Sequence, residues 1–401
     1  MTRSTNTSPT VHPSARTVHL LLAMANVAVG VAAFMVIGIL SPIAATFGIE
    51  PWQAGWLMTV YAIVYALSSP VLVAVTGHMD RRSVLSIGLA LLVLGSAVSA
   101  AAPSFGVMLA SRTAMALGAG LITPVGTAIA VATTLPEHRG RALATVFGGF
   151  TIAQALGVPL GVWLGYQFGW RLTFAAVAAL ALICLMVLRH YVPSEIKVQP
   201  SSLATLGSVL RTPSLLTAVL FIACLMASAF TVYTYLASLL QTIHGFGQTG
   251  ITLMFLIFGL GGIAGNILGG FMTDRIGTVR SLVVLTIGMM IVLPAMTLLA
   301  LPPIGIGLVV AVWSVIGWSV NVPQQARLAS LDGERAPILL ALHASCIYVG
   351  TSVGAAIGGY TIAVSGYHLL GMVAVLPAGL GLASLLATNL LAGRKAARAG
   401  R

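Results

Sequence analysis

Long apolar segments recur along this chain, and the basic residues gather in every second connection between them. Twelve such segments are present, each of about 20 to 28 residues, and about 20 apolar residues in a helix span the hydrocarbon core of a bilayer. All but two of the 19 Lys and Arg residues, Arg112 and Arg171, lie in alternate connections or in the tails. Because cytoplasmic loops carry the excess of Lys and Arg, this pattern predicts twelve transmembrane helices with both termini in the cytoplasm.

The apolar segments give approximate boundaries for these helices. The predicted helices cover residues 19–46, 53–77, 84–102, 105–134, 142–166, 171–190, 214–240, 250–272, 281–301, 304–331, 338–364 and 369–391. The longest polar connection follows the sixth helix, so we expect two halves joined by a linker. The predicted units are a cytoplasmic tail over 1–18, a six-helix bundle over 19–190, a cytoplasmic linker over 191–213, a second six-helix bundle over 214–391 and a basic cytoplasmic tail over 392–401.

The composition fits a chain whose solvent is the bilayer. Hydrophobic residues make up 58% of the sequence and charged residues 6%, whereas about a quarter of the residues in a soluble domain are charged. The formal net charge of +12 is spread over short connections, which favours contact with anionic lipid over nucleic-acid binding. Cys184, Cys224 and Cys346 lie inside apolar segments. We therefore expect packing cysteines, no metal site and no cofactor.

The two halves of the chain share several residues at a nearly constant offset. The matches lie 194 to 199 positions apart and pair Asp80-Arg81 with Asp274-Arg275, Gly118 and Pro124 with Gly317 and Pro323, and Gly157 and Gly161 with Gly354 and Gly358. Several matches at one offset indicate a duplication. The sequence therefore predicts an all-α integral membrane protein with two pseudo-symmetric six-helix bundles and a binding site between them near the bilayer midplane.

The connection between the eighth and ninth predicted helices carries a recognisable loop motif. Its residues are Gly270, Asp274, Arg275, Gly277 and Arg280. Their spacing resembles loop motif A of the major facilitator superfamily, and a degenerate first-half copy keeps Asp80 and Arg81. The resemblance implies a cytoplasmic latch, in which each aspartate pairs with an Arg on a neighbouring helix or caps a helix N-terminus. The alternative is a solvated turn that only sets topology.

Arg112 is an arginine inside a predicted membrane helix. Such a residue costs roughly 2.5–3.5 kcal/mol on insertion scales, so we expect it to face the bundle interior and to have a partner. The run from Arg112 to Gly118 resembles motif B of the same superfamily, with Ala116 in place of a glycine. The alternative is an Arg whose long side chain reaches the membrane interface.

The fifth predicted helix carries small residues and a proline at Gly148, Gly157, Pro159 and Gly161. They resemble motif C, the antiporter signature of the superfamily. With Gly169, Trp170 and Arg171 behind them, they are similar to the bacterial drug:proton antiporters, including the arabinose and chloramphenicol exporters. The resemblance covers essentially the whole chain after residue 19. Small residues four apart also let helices pack closely, which is the structural reading of the same pattern.

One departure from these relatives concerns proton coupling. They commonly carry Glu directly before the Phe of the first helix, and Ala33 stands there in this chain. The seven acidic residues, which we place in loops or at helix ends, are Glu50, Asp80, Glu137, Glu195, Asp274, Asp332 and Glu334. The one histidine deep in an apolar segment is His343. It is a candidate proton carrier, as are the loop-edge His244 and His368, and a packing residue is the alternative for His343.

The substrate path implied by the resemblance runs between the two halves. Rare polar and aromatic groups in membrane helices usually point inward, although a single Tyr or Trp can equally belong to an interfacial belt. The candidates are Asn26, Tyr61, Tyr65, Met115, Gln154, Tyr233, Tyr235, Asn266, Trp318, Asn321, Gln324 and His343. Almost no charge lies in this set, which favours neutral or amphipathic substrates.

The sequence supports an exporter of the bacterial cytoplasmic (inner) membrane as its main functional prediction. We expect a small-molecule substrate, protons as a candidate coupling ion, membrane lipid as the solvent and a monomer as the working unit. A facilitator or uptake carrier of the same fold, for a sugar or nucleoside-like solute, is the second reading, because no membrane carboxylate is present. A membrane-embedded enzyme would need a convergent acid, base or metal set, and the sequence offers none.

Overall fold

The computed structural model describes residues 15–192, 211–333 and 335–399. Within them, 12 helices are long and apolar enough to cross a membrane, which confirms the predicted number. We number these spans in chain order: Ala15–Gly38, Pro51–His78, Arg81–Ala101, Phe105–Ala132, Arg139–Phe168, Trp170–Tyr191, Pro213–Tyr233, Gln248–Ile276, Thr278–Leu298, Pro303–Leu331, Ile338–Ser365 and Tyr367–Thr388. Most of the predicted linker, with Glu195, lies outside the described residues, as does Glu334.

The helices of spans 1, 5 and 10 are interrupted a few residues before a proline. The first helix ends at Gly38 and a new one runs over Leu40–Phe47, span 5 contains a π-helical turn over Ala153–Gly157, and span 10 is divided after Ser319. Each break lies about four residues before Pro42, Pro159 or Pro323. A proline has no N–H and its ring clashes with the carbonyl four residues earlier, which favours an opening there. The opening is not obligatory, because spans 2, 4, 9 and 12 continue through Pro70, Pro124, Pro294 and Pro377.

A fourth break has no proline to explain it. We predicted one helix over 214–240, but span 7 ends at Tyr233 and a separate helix runs over Leu236–His244. This break corresponds to the one after Gly38 in the first half, and Ser41 and Ser238, which follow the two breaks, bond to each other at 3.0 Å. The interruption is therefore a feature of the repeat.

The same pairs of spans pack together in the two halves. In the first half, span 1 packs on span 5, span 2 on span 4, and span 3 on spans 4 and 6; in the second half, span 7 packs on span 11, span 8 on span 10, and span 9 on spans 10 and 12. Adding six to each number converts one set into the other. Spans 2 and 5 then meet spans 11 and 8 across the boundary. The architecture is thus two pseudo-symmetric six-helix bundles.

The two bundles meet mainly on one side of the molecule. We call the side that carries residues 79–80, 133–138, 277 and 332–335 the basic face, and the side that carries residues 39–50, 102–104, 234–247 and 299–302 the opposite face. Five contacts, which we call the seam, join the bundles between the midplane and the opposite face. They are Ser41 with Ser238, Trp52 with Tyr235, Thr59 with Ser352, Tyr65 with Tyr348, and Phe34 with Phe230.

The orientation of the chain in the membrane is a prediction that reporter fusions can check. A reporter fused after Pro200, which lies outside the described residues, should be active only on the cytoplasmic side, because the connections of the basic face carry the Lys and Arg excess. A reporter fused after Ser104, on the opposite face, should be active only on the external side. Activity of both fusions on one side would contradict the topology.

Candidate functional site

Arg112 lies fully buried at the centre of the first bundle. Its Nε donates to the Leu57 carbonyl at 3.1 Å, its Nη1 to the Ala32 carbonyl at 2.7 Å and its Nη2 to the Ala33 carbonyl at 3.0 Å. The guanidinium carbon lies 4.4 Å from the centroid of the Tyr61 ring, a cation–π distance. The charge therefore does not extend to a membrane interface, and its partners are backbone carbonyls and an aromatic face.

This arrangement ties three spans together without a carboxylate. Leu57 belongs to span 2, Ala32 and Ala33 belong to span 1, and Arg112 itself stands in span 4. Ala33 is the position at which the drug:proton antiporters that the sequence resembles commonly carry Glu, and here the chain offers its carbonyl oxygen instead. The one cation at the centre of the first bundle is thus held by dipoles, and the site carries no acid to release a proton.

Polar candidates in the first bundle lie close to this arginine or about two to three helical turns nearer to the basic face. The Met115 sulfur lies 3.8 Å from Arg112 Nη1. Asn26 donates to the Leu22 carbonyl at 3.1 Å and accepts a bond from the Thr123 hydroxyl at 2.9 Å. Asn26 therefore links spans 1 and 4 nearer to the basic face.

Aromatic side chains from both bundles meet near the midplane. The Tyr65 ring stacks on the Tyr348 ring with centroids 3.8 Å apart, and the Phe34 and Phe230 centroids are 5.8 Å apart. The Tyr61 hydroxyl is buried without a hydrogen-bond partner among the described residues. Because this hydroxyl is buried, water does not bond to it, and its hydrogen is available to a solute that enters between the bundles.

The remaining aromatic candidates divide between two places. Tyr233 stacks on Phe258 with centroids 4.3 Å apart and lies 6.0 Å from Trp313, so it belongs to an aromatic group inside the second bundle. Tyr235 lies in the seam, where its hydroxyl donates to the Ala355 carbonyl at 2.9 Å and to the Trp52 carbonyl at 3.3 Å. Tyr235 thus joins the bundles near the opposite face, away from the central candidates.

The other candidates occupy spans 5, 8, 10 and 11. Gln154 is buried in the π-helical turn, Asn266 and Trp318 are half-buried, and Asn321 donates to the Trp318 carbonyl at 3.5 Å. Gln324 is fully buried and donates to the Ala218 carbonyl of span 7 at 2.7 Å. His343 is buried, and neither ring nitrogen has a partner among the described residues.

The motif A residues lie on the basic face, and the two aspartates differ there. Asp80 caps span 3 by accepting bonds from the Ser83 amide at 3.0 Å and its hydroxyl at 3.1 Å. Asp274 is exposed in the last turn of span 8, which ends at Gly277 with φ of 84°. Over residues 15–192, 211–333 and 335–399 the one ion pair joins Asp332 to Arg335 at 3.7 Å. Helix capping is therefore the contact that Asp80 makes in this conformation.

The other motif A residues lie around the same two connections. Arg81 is buried at the start of span 3, where it donates to the Gly77 carbonyl at 3.3 Å. Arg275 lies 5.3 Å from the Phe271 ring centroid, Arg280 is exposed, and Gly270 has open space around its Cα.

The motif C glycines pack span 5 against span 1, with one exception. A methyl group at Gly157 would overlap the Val31 side chain, and one at Gly161 would lie 3.1 Å from Met35 Cβ. Gly148 has no atom within 4 Å of such a methyl group, whereas Gly149, which sequence reasoning missed, lies directly against the Ala23 carbonyl. The close approach is therefore one residue later than the motif indicates.

Sequence reasoning also missed Arg327, which it counted with the basic connections. The residue belongs to the helix Asn321–Leu331, and its side chain is only 2% exposed. Its position four residues before the helix end was a signal that it stands below the surface of the basic face.

In the described part of the chain no three His, Cys, Asp or Glu side chains come together as a metal site would require.

Two equivalent six-helix bundles that meet along a central boundary define a class of protein: multi-pass membrane transporters that open alternately to either side of the bilayer. The family profile of the Major Facilitator Superfamily matches residues 22–337. The chain belongs to this superfamily, whose members are transporters and not enzymes.

Named relatives and solved structures agree with this assignment. The chain is 33% identical over 342 residues to an uncharacterized MFS-type transporter, YbcL, of Bacillus subtilis (strain 168), covering 84% of this chain and 87% of that protein. It is 30% identical to the inner membrane transport protein YdhP of Escherichia coli (strain K12), covering 90% and 93%. A D-xylose-proton symporter structure has a TM-score of 0.73 at 16% identity, covering 93% and 97%. An inward-facing bacterial homologue of the human lysosomal transporter Spinster has a TM-score of 0.70 at 16% identity, covering 95% and 97%. The two structures share the fold.

Proposed function

We propose that this protein exports a small neutral or amphipathic drug or metabolite across the bacterial inner membrane by alternating access. The observation that carries the proposal is the lining between the bundles, where aromatic rings meet and the one arginine nearby has each of its guanidinium nitrogens bonded to a carbonyl. The one carboxylate within the described spans, that of Asp274, lies in the exposed last turn of span 8, away from this lining. A cationic solute would find no carboxylate there, and an anionic solute would find an arginine whose guanidinium nitrogens are already bonded to carbonyls. Transfer of an unpaired charge to a low-dielectric site is costly. A solute with an apolar body and one or two polar groups fits this lining.

Two further observations support export and location. The glycines of span 5 follow motif C, and the resemblance associates that motif with antiport. The YdhP relatives are named inner membrane transport proteins, and a cytoplasmic membrane location follows for a chain with this many spans. We propose that both termini lie in the cytoplasm, as the basic face indicates.

Proton coupling would need a titratable group inside the membrane. Of the acidic residues that the structure describes, Glu50 and Asp80 cap helices, Glu137 lies in a turn, Asp274 lies in a terminal helical turn and Asp332 follows a helix end. A proton that crosses with the solute would need another group inside the membrane, and His343 is the buried candidate. The second reading, a facilitator without coupling, is favoured because no carboxylate lies in the interior of the described spans.

Everted membrane vesicles test both readings in one assay. In everted vesicles that are energised by respiration, a labelled neutral amphipathic solute should accumulate inside when the protein is present, because export then points inward. Addition of an uncoupler should reduce accumulation to the equilibrium level if protons drive the process. The measurement is the internal label at steady state, for a panel of drugs and sugars, against vesicles from cells without the protein.

The opposite results are equally clear. Accumulation that an uncoupler leaves unchanged would contradict proton antiport. Equilibration of a sugar or nucleoside, without accumulation of any panel member, would favour the facilitator.

A further inference from the structure

Three arginines are buried in helices of the described chain: Arg81 at the start of span 3, and Arg112 and Arg327 further inside their helices. Arg112 and Arg327 differ in how their donors are used. Each guanidinium nitrogen of Arg112 has a carbonyl partner. Arg327 donates from Nη1 to the Gln324 amide oxygen at 3.3 Å, whereas its Nε and Nη2 have no partner among the described residues. A buried cation with unused donors is costly, and each such group calls for a bound partner.

The unused donors of Arg327 form one edge of the guanidinium. Nε and Nη2 lie side by side in the plane of the group, and this edge binds two oxygens of a carboxylate or a phosphoryl group in parallel. The opposite side is fixed, because the Gln324 side chain that accepts from Nη1 itself donates to the Ala218 carbonyl of span 7 at 2.7 Å. Gln324 therefore fixes the guanidinium, and the edge formed by Nε and Nη2 has no partner among the described residues.

A second buried group with unused hydrogen-bonding capacity lies at a similar depth on the next span. Leu328 of span 10 and Leu339 of span 11 belong to one buried apolar cluster with Ala218. The two spans are antiparallel. Gln324 lies one turn further from the basic face than Leu328, and His343 lies one turn further from it than Leu339. Gln324 and His343 therefore stand at the same depth. Both ring nitrogens of His343 are without a partner among the described residues. Spans 7, 10 and 11 thus enclose two buried basic side chains.

This site lies close to the basic face. Arg327 stands four residues before the helix end at Leu331, which is about 6 Å at 1.5 Å per residue. The neighbouring arginine of this face, Arg335, has its charge balanced by Asp332 at 3.7 Å, whereas Arg327 has no ion-pair partner among the described residues. An anion that approaches from the basic face is the partner that this cation lacks.

We propose that Arg327 holds a two-oxygen anion, a carboxylate or a phosphoryl group, in a site formed by spans 7, 10 and 11 near the basic face. The anion accepts from Nε and Nη2 in parallel, and His343 stands one turn deeper as a further donor. Two sources offer this chemistry, a soluble anion and the phosphate of an anionic lipid. The site goes beyond the export proposal, since it does not depend on the direction of transport or on proton coupling.

Thermal unfolding of the purified, lipid-depleted protein tests the site without a transport assay. A ligand that binds only the folded state raises the midpoint of unfolding in a saturable manner. In gluconate buffer of constant ionic strength, acetate and inorganic phosphate should raise this midpoint for the wild type, and an equal concentration of chloride should raise it less. Phosphatidylglycerol, compared with phosphatidylcholine, forms the lipid arm. A rise with the soluble anions assigns a soluble occupant, and a rise with phosphatidylglycerol alone assigns the lipid phosphate.

Three variants make the test specific. Arg327→Met should abolish the rise, and without added anion it should unfold no earlier than the wild type, because a buried unpaired charge has been removed. Arg327→Lys keeps the charge but loses the two-donor edge, so it should bind at least about tenfold more weakly. Arg335→Met, on the same face, should keep the full rise.

Several outcomes would overturn the proposal. They are the absence of a saturable rise in the wild type, a rise of equal size in Arg327→Met, and an effect of chloride as large as that of acetate. If Arg327→Met does not fold, the wild-type titrations and the comparison with Arg327→Lys decide the question.

Discussion

Replacing Arg112 by Met should lower the initial rate of transport by at least about tenfold, equivalent to about 1.4 kcal/mol in the transport barrier. The substitution removes three charge-assisted hydrogen bonds that hold span 1 and span 2 against span 4. Such bonds are worth about 1.5–3 kcal/mol each before the cost of burying the charge is subtracted. Because that cost is also removed, we expect a smaller loss of stability than of transport.

Arg112→Lys should recover only part of the rate. A lysine ammonium is a compact charge on a flexible stem, and it cannot reach three carbonyls on two helices in the fixed geometry of a guanidinium. The measurement is the initial rate in vesicles, normalised to the amount of folded protein. Arg171→Met is the matched control, because Arg171 is an exposed arginine that donates to one carbonyl, that of Ala102, at 3.0 Å. An Arg112→Met protein with the wild-type rate would show that the network only fills space.

Gly149→Ala and Gly148→Ala should have opposite effects on stability. An added methyl group at Gly149 would collide with the Ala23 carbonyl of span 1, whereas at Gly148 it would meet nothing within 4 Å. Forced overpacking costs about 1–3 kcal/mol, so Gly149→Ala should unfold earlier and accumulate less in the membrane. Gly148→Ala should be neutral or more stable by up to about 1 kcal/mol, because alanine favours a helix over glycine.

Thermal unfolding of the two purified variants provides the comparison. The variants differ by one position in the same helix and carry the same substitution, so each controls for the other. Equal midpoints, or a less stable Gly148→Ala, would contradict the packing of span 5 on span 1. The pair also tests the motif itself, because the motif marks Gly148 and the close contact belongs to Gly149.

The number and rough positions of the spans could be predicted from the sequence, because a span is recognised from the mean hydropathy of about 20 residues, which a single residue changes little. Breaks before Pro42, Pro159 and Pro323 could have been suspected from the missing N–H of proline, although Pro70, Pro124, Pro294 and Pro377 lie in spans that stay unbroken. The break after Tyr233 could not, since its residues carry no such signal and only the repeat points to it. Helix ends also shifted, and span 8 includes Asp274 in its last turn.

The site was predicted only in part, for a physical reason. The cost of a charge in a membrane places Arg112 in the interior, but its partners are backbone carbonyls, which every residue has and no sequence pattern marks. Arg327 shows the reverse error. It was counted with the basic connections although it lies four residues inside the predicted tenth helix, and the packing among spans 7, 10 and 11 shows that it is buried.

The seam between the bundles has a consequence for the salt response of the transport cycle. The groups that bond across it are hydroxyls, carbonyls and aromatic rings, and in the described residues no charged side chain joins them. Neutral hydrogen bonds contribute about 0.5–1.5 kcal/mol each after exchange with water, so thermal motion can break three of them in succession. Screening by dissolved ions acts on charges. Opening of the opposite face should therefore proceed at the same rate in dilute and in concentrated salt.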